Sequence, residues 1–103
     1  MFRSAAIAVL AFVTTCAQAA GDPEAGKAKS AACSICHGAD GKAQIPMYPR
    51  LAGQNLAYLT YALKAYRSGE RKGALSGMMT PNVMALSDQD IEDLAAYYHG
   101  MQP

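Results

Sequence analysis

The chain has no tryptophan, and its two phenylalanines both fall within the first twelve residues. Neither charge is in surplus, with nine Lys and Arg against eight Asp and Glu. That balance excludes the basic footprint of a nucleic-acid-binding domain, so no nucleic acid is expected as a partner. Three cysteines in 103 residues are too few for a disulfide-dense miniature fold. No apolar run approaches the roughly 20 residues that span a bilayer. No segment alternates with the two-residue period of a strand, no internal repeat is present, and the length allows at most one small domain.

What is present begins with an address. Met-Phe-Arg precedes an unbroken apolar run from Ala5 to Val13, and Ala17-Gln18-Ala19 supplies small residues at its end. A short cationic start, a short apolar stretch and a small-residue site make residues 1–19 a secretory signal peptide, with cleavage expected after Ala19. Cys16 follows Thr14-Thr15, a poor match to the site at which bacterial lipoproteins are acylated; a lipid anchor there is the lesser alternative. Export predicts a periplasmic protein of residues 20–103. That chain holds one Val, three Ile and seven Leu. Such a thin set of branched aliphatics suits a domain stapled by a disulfide, a metal or a cofactor.

The remainder predicts an all-α domain of three main helices with a long loop on each side of the middle one. Asp22-Pro23-Glu24 supplies a cap, a first-turn proline and an acid for a helix running to about Ser34. Three glycines and two prolines between Gly38 and Gly53 mark a loop. Leu56, Leu59 and Leu63, with Ala62 and Tyr66, set the apolar face of a second helix from about Asn55 to Arg67, and Gly69 ends it. A loop over 69–79 closes on Met78-Met79, and Thr80-Pro81 can begin a short helical turn. Ser87 and Asp90 are spaced as a relative of the capping box ahead of a last helix with the stripe Ile91, Leu94, Ala95 and Tyr98.

Cys33-Ser34-Ile35-Cys36-His37 carries the chemistry. Cys-x-x-Cys-His is the attachment signature of c-type haem. Two thiols a helical turn apart can each add to a haem vinyl group, and the adjacent imidazole is then delivered to the iron. Structural zinc usually takes four ligands, and outside the leader only His99 could join this set. A thioredoxin-like pair needs a βαβ context, and a simple disulfide leaves His37 without a role. For the second axial position the residues offer Met47, Met78, Met79, Met84, Met101 and His99, and periodicity does not choose among them. A solvated role at a negative helix end suits His99 better than ligation.

These residues resemble those of class I c-type cytochromes, most closely one half of a two-haem cytochrome c4 or a single-haem cytochrome of the c-553 kind. The likeness rests on Gly21-Asp22 through Gly26, Cys33 to Gly41, Pro49 to Gln54, and Leu86 to Ile91 continuing through Leu94 to Tyr98. It implies a small class I cytochrome c fold, three main helices and loops around one covalent haem c with its iron. Cys33 and Cys36 would carry the thioethers and His37 would be the proximal ligand. Met79, seven residues before Leu86, would be the distal one, with Met78 the runner-up. Pro49 would accept the imidazole N–H through its carbonyl, and Leu51 would pack on the haem. Gly26 would let Tyr97 or Tyr98 approach closely, and Arg50 would meet a propionate or water. The second Cys-x-x-Cys-His of the two-haem relatives has no counterpart here.

The expected function is therefore single-electron transfer between redox proteins, donor and acceptor unidentified, without enzyme activity of its own. The alternatives are the haem subunit of a larger dehydrogenase or oxidase, and a haem sensor or enzyme with an open sixth position. Lys42, Arg50, Lys64, Arg67, Arg71 and Lys72 are candidates for a basic docking face. Asp88, Asp90, Glu92 and Asp93 are expected mainly to complement the positive end of the last helix.

Overall fold

The computed structural model describes residues 3–11, 20–73 and 75–103. The expected cleavage site after Ala19 and Cys16 lie outside the described residues. Residues 3–11 are exposed and belong to no helix or strand. Five helices follow in order: α1 Pro23–Lys29, α2 Ala31–His37, α3 Leu56–Ser68, α4 Ser76–Val83 and α5 Asp88–His99. Among the described residues no helix is long and apolar enough to cross a membrane.

The three expected helices are all present, with one divided and one added. The first is divided at Ser30, whose backbone N–H and hydroxyl both donate to the Lys27 carbonyl, at 3.2 and 2.8 Å. That tight closure ends α1 before α2 begins. The addition is α4, which starts at Ser76 rather than at Thr80-Pro81. Turn bonds from Ser76 N–H to Gly73 O and from Met78 N–H to Leu75 O wind the chain ahead of it. Pro81 sits inside this helix and removes one donor from it.

α5 is the element on which α1 and α3 pack, while α4 packs on α3. Its N-terminus carries a full capping box: Asp90 N–H donates to Ser87 Oγ and Ser87 N–H to Asp90 Oδ2, each at 3.0 Å. Ile91, Leu94, Ala95 and Tyr98 are all buried, as their spacing predicts. α1 crosses α5 at Gly26, where a Cβ would collide with the Asp93 carbonyl and stand 2.8 Å from Tyr97 Cβ. The close approach is therefore to Tyr97, and only glycine permits it.

α3 packs on the other side of α5. Asn55 caps it by accepting from Tyr58 N–H at 2.9 Å, and Gly69 ends it in the left-handed conformation. Leu59 joins Leu94, Ala95 and Tyr98 in the core. Leu56, expected on the same face, is 41% exposed, because packing against α5 begins one turn later at Leu59.

Candidate cofactor cavity

Between α2, α3, α4 and the 38–53 loop lies a cavity of about 1230 Å³, counting the open space at its mouth. Its wall is mostly apolar, from Leu51, Leu59, Leu63, Leu75, Val83 and Leu94 among others. Arg50 and Arg71 line it, and among the described residues no aspartate or glutamate does.

α2 supplies the reactive end. Cys33 and Cys36, three residues apart and so on one helix face, are free thiols that both line the cavity. Burial pushes the Cys33 thiol up from its ordinary pKa. His37, the last residue of α2, is 4% exposed and lines the same wall. Its Nδ1 lies 2.8 Å from the Pro49 carbonyl oxygen. A carbonyl can only accept, so Nδ1 holds the proton and Nε2 keeps its lone pair for a metal.

The loop that carries Pro49 is tied down at several points. Gly41 O accepts from Leu51 and Ala52 N–H, at 2.8 and 3.1 Å, and Gly53 N–H donates to Tyr98 O at 2.9 Å. Gly41 adopts a positive φ of 69°, and a Cβ there would stand 3.0 Å from both Ala52 N and Met101 Sδ. Leu51 and Arg50 thereby reach the cavity wall beside Pro49.

Of the five methionines beyond the leader, α4 brings Met78 and Met79 to the wall. Met78 is 48% exposed and Met79 is half-buried. Met47 and Met84 are exposed and outside the cavity wall, and Met101 packs on the core. His99 is exposed, with Nδ1 2.7 Å from Gln54 O and no place in the wall.

Several residues of the wall were not expected from the sequence. Tyr58 extends the expected Ala62–Tyr66 edge of the α3 apolar face by one turn, and all three line the cavity. That spacing was available as a signal. Arg71 also lines the cavity, although it follows a helix end and no periodicity marks it. The acidic set is bound inward more than its position suggests. Asp93 is 3% exposed and accepts from Asp22 N–H, Lys29 Nζ and Gln89 Nε2 at 2.8, 2.7 and 2.9 Å. Asp90 pairs with Lys29, and Asp88 with Arg67.

Two thiols on one helix face, an imidazole with a free Nε2 lone pair and a thioether pair share one apolar wall that carries cations and no acid. That donor set fits a large apolar macrocycle with a metal at its centre and carboxylates at its edge, which is haem. The cytochrome c family profile matches residues 23–102. The chain is 49% identical over 83 residues to cytochrome c-554(548) of Halomonas halodenitrificans, covering 81% of this chain and all of that protein. It superposes on cytochrome c4 of Pseudomonas stutzeri with a TM-score of 0.66 at 42% identity, over 81% of this chain and 47% of that one. It also superposes on a thiosulfate dehydrogenase of Marichromatium purpuratum with a TM-score of 0.68 at 30% identity, over 79% of this chain and 19% of that one. The chain thus spans under half the length of the c4 protein. It belongs to the cytochrome c family, and its cofactor is covalently bound haem c with its iron.

Proposed function

We propose that the chain is an exported, six-coordinate monohaem electron carrier. Cys33 and Cys36 hold the haem through thioethers, His37 Nε2 is the proximal ligand and Met79 Sδ the distal one. When bound, haem iron supplies the ferric–ferrous couple. The side chains perform no substrate chemistry. The Pro49 carbonyl fixes the imidazole ring and its tautomer, Leu51 and the α3 and α5 leucines exclude water, and a thioether ligand raises the potential.

The observation that carries this reading is the His37–Pro49 bond, which leaves Nε2 unprotonated in the wall that also holds both thiols and Met79. Met79 is preferred to Met78 because it is the less exposed of the two. Residues 1–19 act as the export signal and the periplasm as the working compartment. Other redox proteins are the partners, met through weak, salt-sensitive contact with a basic face. Arg67 and Arg71 are already engaged within the fold, which leaves Lys42, Arg50, Lys64 and Lys72 for that contact.

Redox-monitored absorption spectroscopy of the purified holoprotein tests the reading. A low-spin spectrum in both states, with little carbon monoxide bound on reduction, is the expected result. Rapid and full carbon monoxide binding overturns it in favour of a sensor or enzyme with an open sixth position. The likeness to a thiosulfate dehydrogenase supports a second reading, a haem subunit of a larger enzyme. Stable copurification with a larger catalytic chain would establish that one.

A further inference from the structure

The stretch that delivers Pro49 to His37 is not held in place by burial. Residues 44–47, Pro49 and Arg50 are exposed, Ile45 and Met47 among them. Bonds from Ala43 N–H to His37 O and from Leu51 N–H to Gly41 O, both 2.8 Å, close the loop on itself. Both of its ends are then fastened to the end of α5 and the residues after it. Tyr98 O lies in the last turn of α5, where carbonyls lack partners within the helix. It accepts from Gly53 N–H at 2.9 Å as well as from Met101 N–H at 3.2 Å. One residue on, His99 Nδ1 donates to Gln54 O at 2.7 Å, because a carbonyl can only accept. The tail covers the two glycines of the loop as well. A Cβ at Gly41 would stand 3.0 Å from Met101 Sδ, and one at Gly53 would stand 3.0 Å from Pro103 Cβ.

These contacts reach the proximal histidine through one short turn. Gln54 N–H donates to Leu51 O at 3.1 Å, which ties the residue held by His99 to a position two residues after Pro49. The His37–Pro49 bond is directional, so it weakens steeply when its acceptor is misplaced. Resting on the assignment of His37 as the proximal ligand, we propose that His99 and Met101 are positioning residues for it, clasping the loop so that the Pro49 carbonyl stays on His37 Nδ1. An imidazole whose N–H is bonded to a carbonyl is the more basic ligand and favours ferric iron. Loosening the clasp therefore frees the His37 ring proton and raises the reduction potential.

Proton exchange at the His37 ring N–H, followed by NMR in the ferrous holoprotein, tests this together with redox titration. His99→Ala speeds that exchange about fivefold, the loss expected for one hydrogen bond, and raises the potential. Its absorption spectrum stays low-spin in both states. His99→Asn, whose amide donates from the place of Nδ1, restores both quantities. Met101→Ala, which uncovers Gly41, moves both in the same sense as His99→Ala. Gly26→Ala strains the α1–α5 crossing without altering charge or touching the loop, and it moves neither. Unchanged exchange and potential in His99→Ala overturn the proposal, as do equal shifts in Gly26→Ala. Should His99→Ala fail to accumulate, an unshifted Met101→Ala protein overturns it alone. A wild-type holoprotein without low-spin haem overturns instead the ligand assignment, and the proposal with it.

Discussion

The Asp93 carboxylate lies 2.8 Å from the backbone nitrogen of Asp22, a residue 71 positions earlier in the chain. This bond, with the Lys29 ion pair, fastens the start of α1 to the middle of α5. Together they hold the pH dependence of the fold. Acceptance of the Asp22 N–H, then of Lys29 and Gln89, lowers the Asp93 pKa from 3.8 to about 2. A carboxylate depressed on folding contributes stability that is present above its unfolded pKa and is lost as pH falls through the folded one. Arg67 and Lys29 lower Asp88 and Asp90 in the same sense. Urea unfolding of wild type and Asp93→Asn should therefore differ by a constant amount from neutral pH down to about 4, and converge towards about 2. A gap that persists undiminished at the acid end would refute this account.

Gly26 lets the two helices meet. Alanine usually stabilises a helix by up to about 1 kcal/mol relative to glycine. Here its methyl group would meet the Asp93 carbonyl and Tyr97 Cβ. Both are held by α5, so the neighbours cannot yield without parting the helices. Gly26→Ala should cost about 2 kcal/mol net, at the overpacking scale, and lower Tm by about 10 °C. Thermal unfolding followed by circular dichroism checks it, and an unchanged or raised Tm contradicts it.

Tyr98 predicts the opposite kind of result. Its ring is part of the core, yet its buried hydroxyl faces the Cys33 thiol and the Ser30 hydroxyl without a well-formed hydrogen bond among the described residues. Removing an unsatisfied buried hydroxyl while keeping the ring is close to neutral or stabilising. Denaturant midpoints should place Tyr98→Phe between unchanged and about 1 kcal/mol more stable. A loss of more than about 1 kcal/mol would show that the hydroxyl is satisfied after all.

The two methionines of α4 differ in exposure but share one wall. Met79→Ala should lose the thioether–iron absorption of the ferric protein. Its potential should fall by roughly a tenth or more of the ~0.8 V range that axial ligands command. Met78→Ala should keep both the absorption and the potential. The reverse pattern would transfer the ligand role to Met78.

Much of the fold is legible in the residues alone. Asp22-Pro23, Asn55, Ser87 and Asp90 act locally, through bonds to amides two or three residues away, so their spacing is enough to place three helix starts. The buried stripe of α5 follows from 3.6-residue periodicity in the same way. Cys33, Cys36 and His37 are adjacent in sequence, and one turn of helix brings them to one face whatever the rest of the chain does.

The local order of helices and the Cys-x-x-Cys-His chemistry thus reside in the linear order of the amino acids. Which distant groups meet them is a matter of three-dimensional packing. The bond from His37 to Pro49, the division of labour between Asp93 and the helix end, and the turn of Arg71 onto Tyr58 and Tyr66 join segments separated by loops. Such contacts form because packing α1 and α3 against α5, and α4 against α3, leaves one arrangement that buries the apolar faces. Buried polar groups must then find their partners within that arrangement. Neither condition has a period that can be read along a chain.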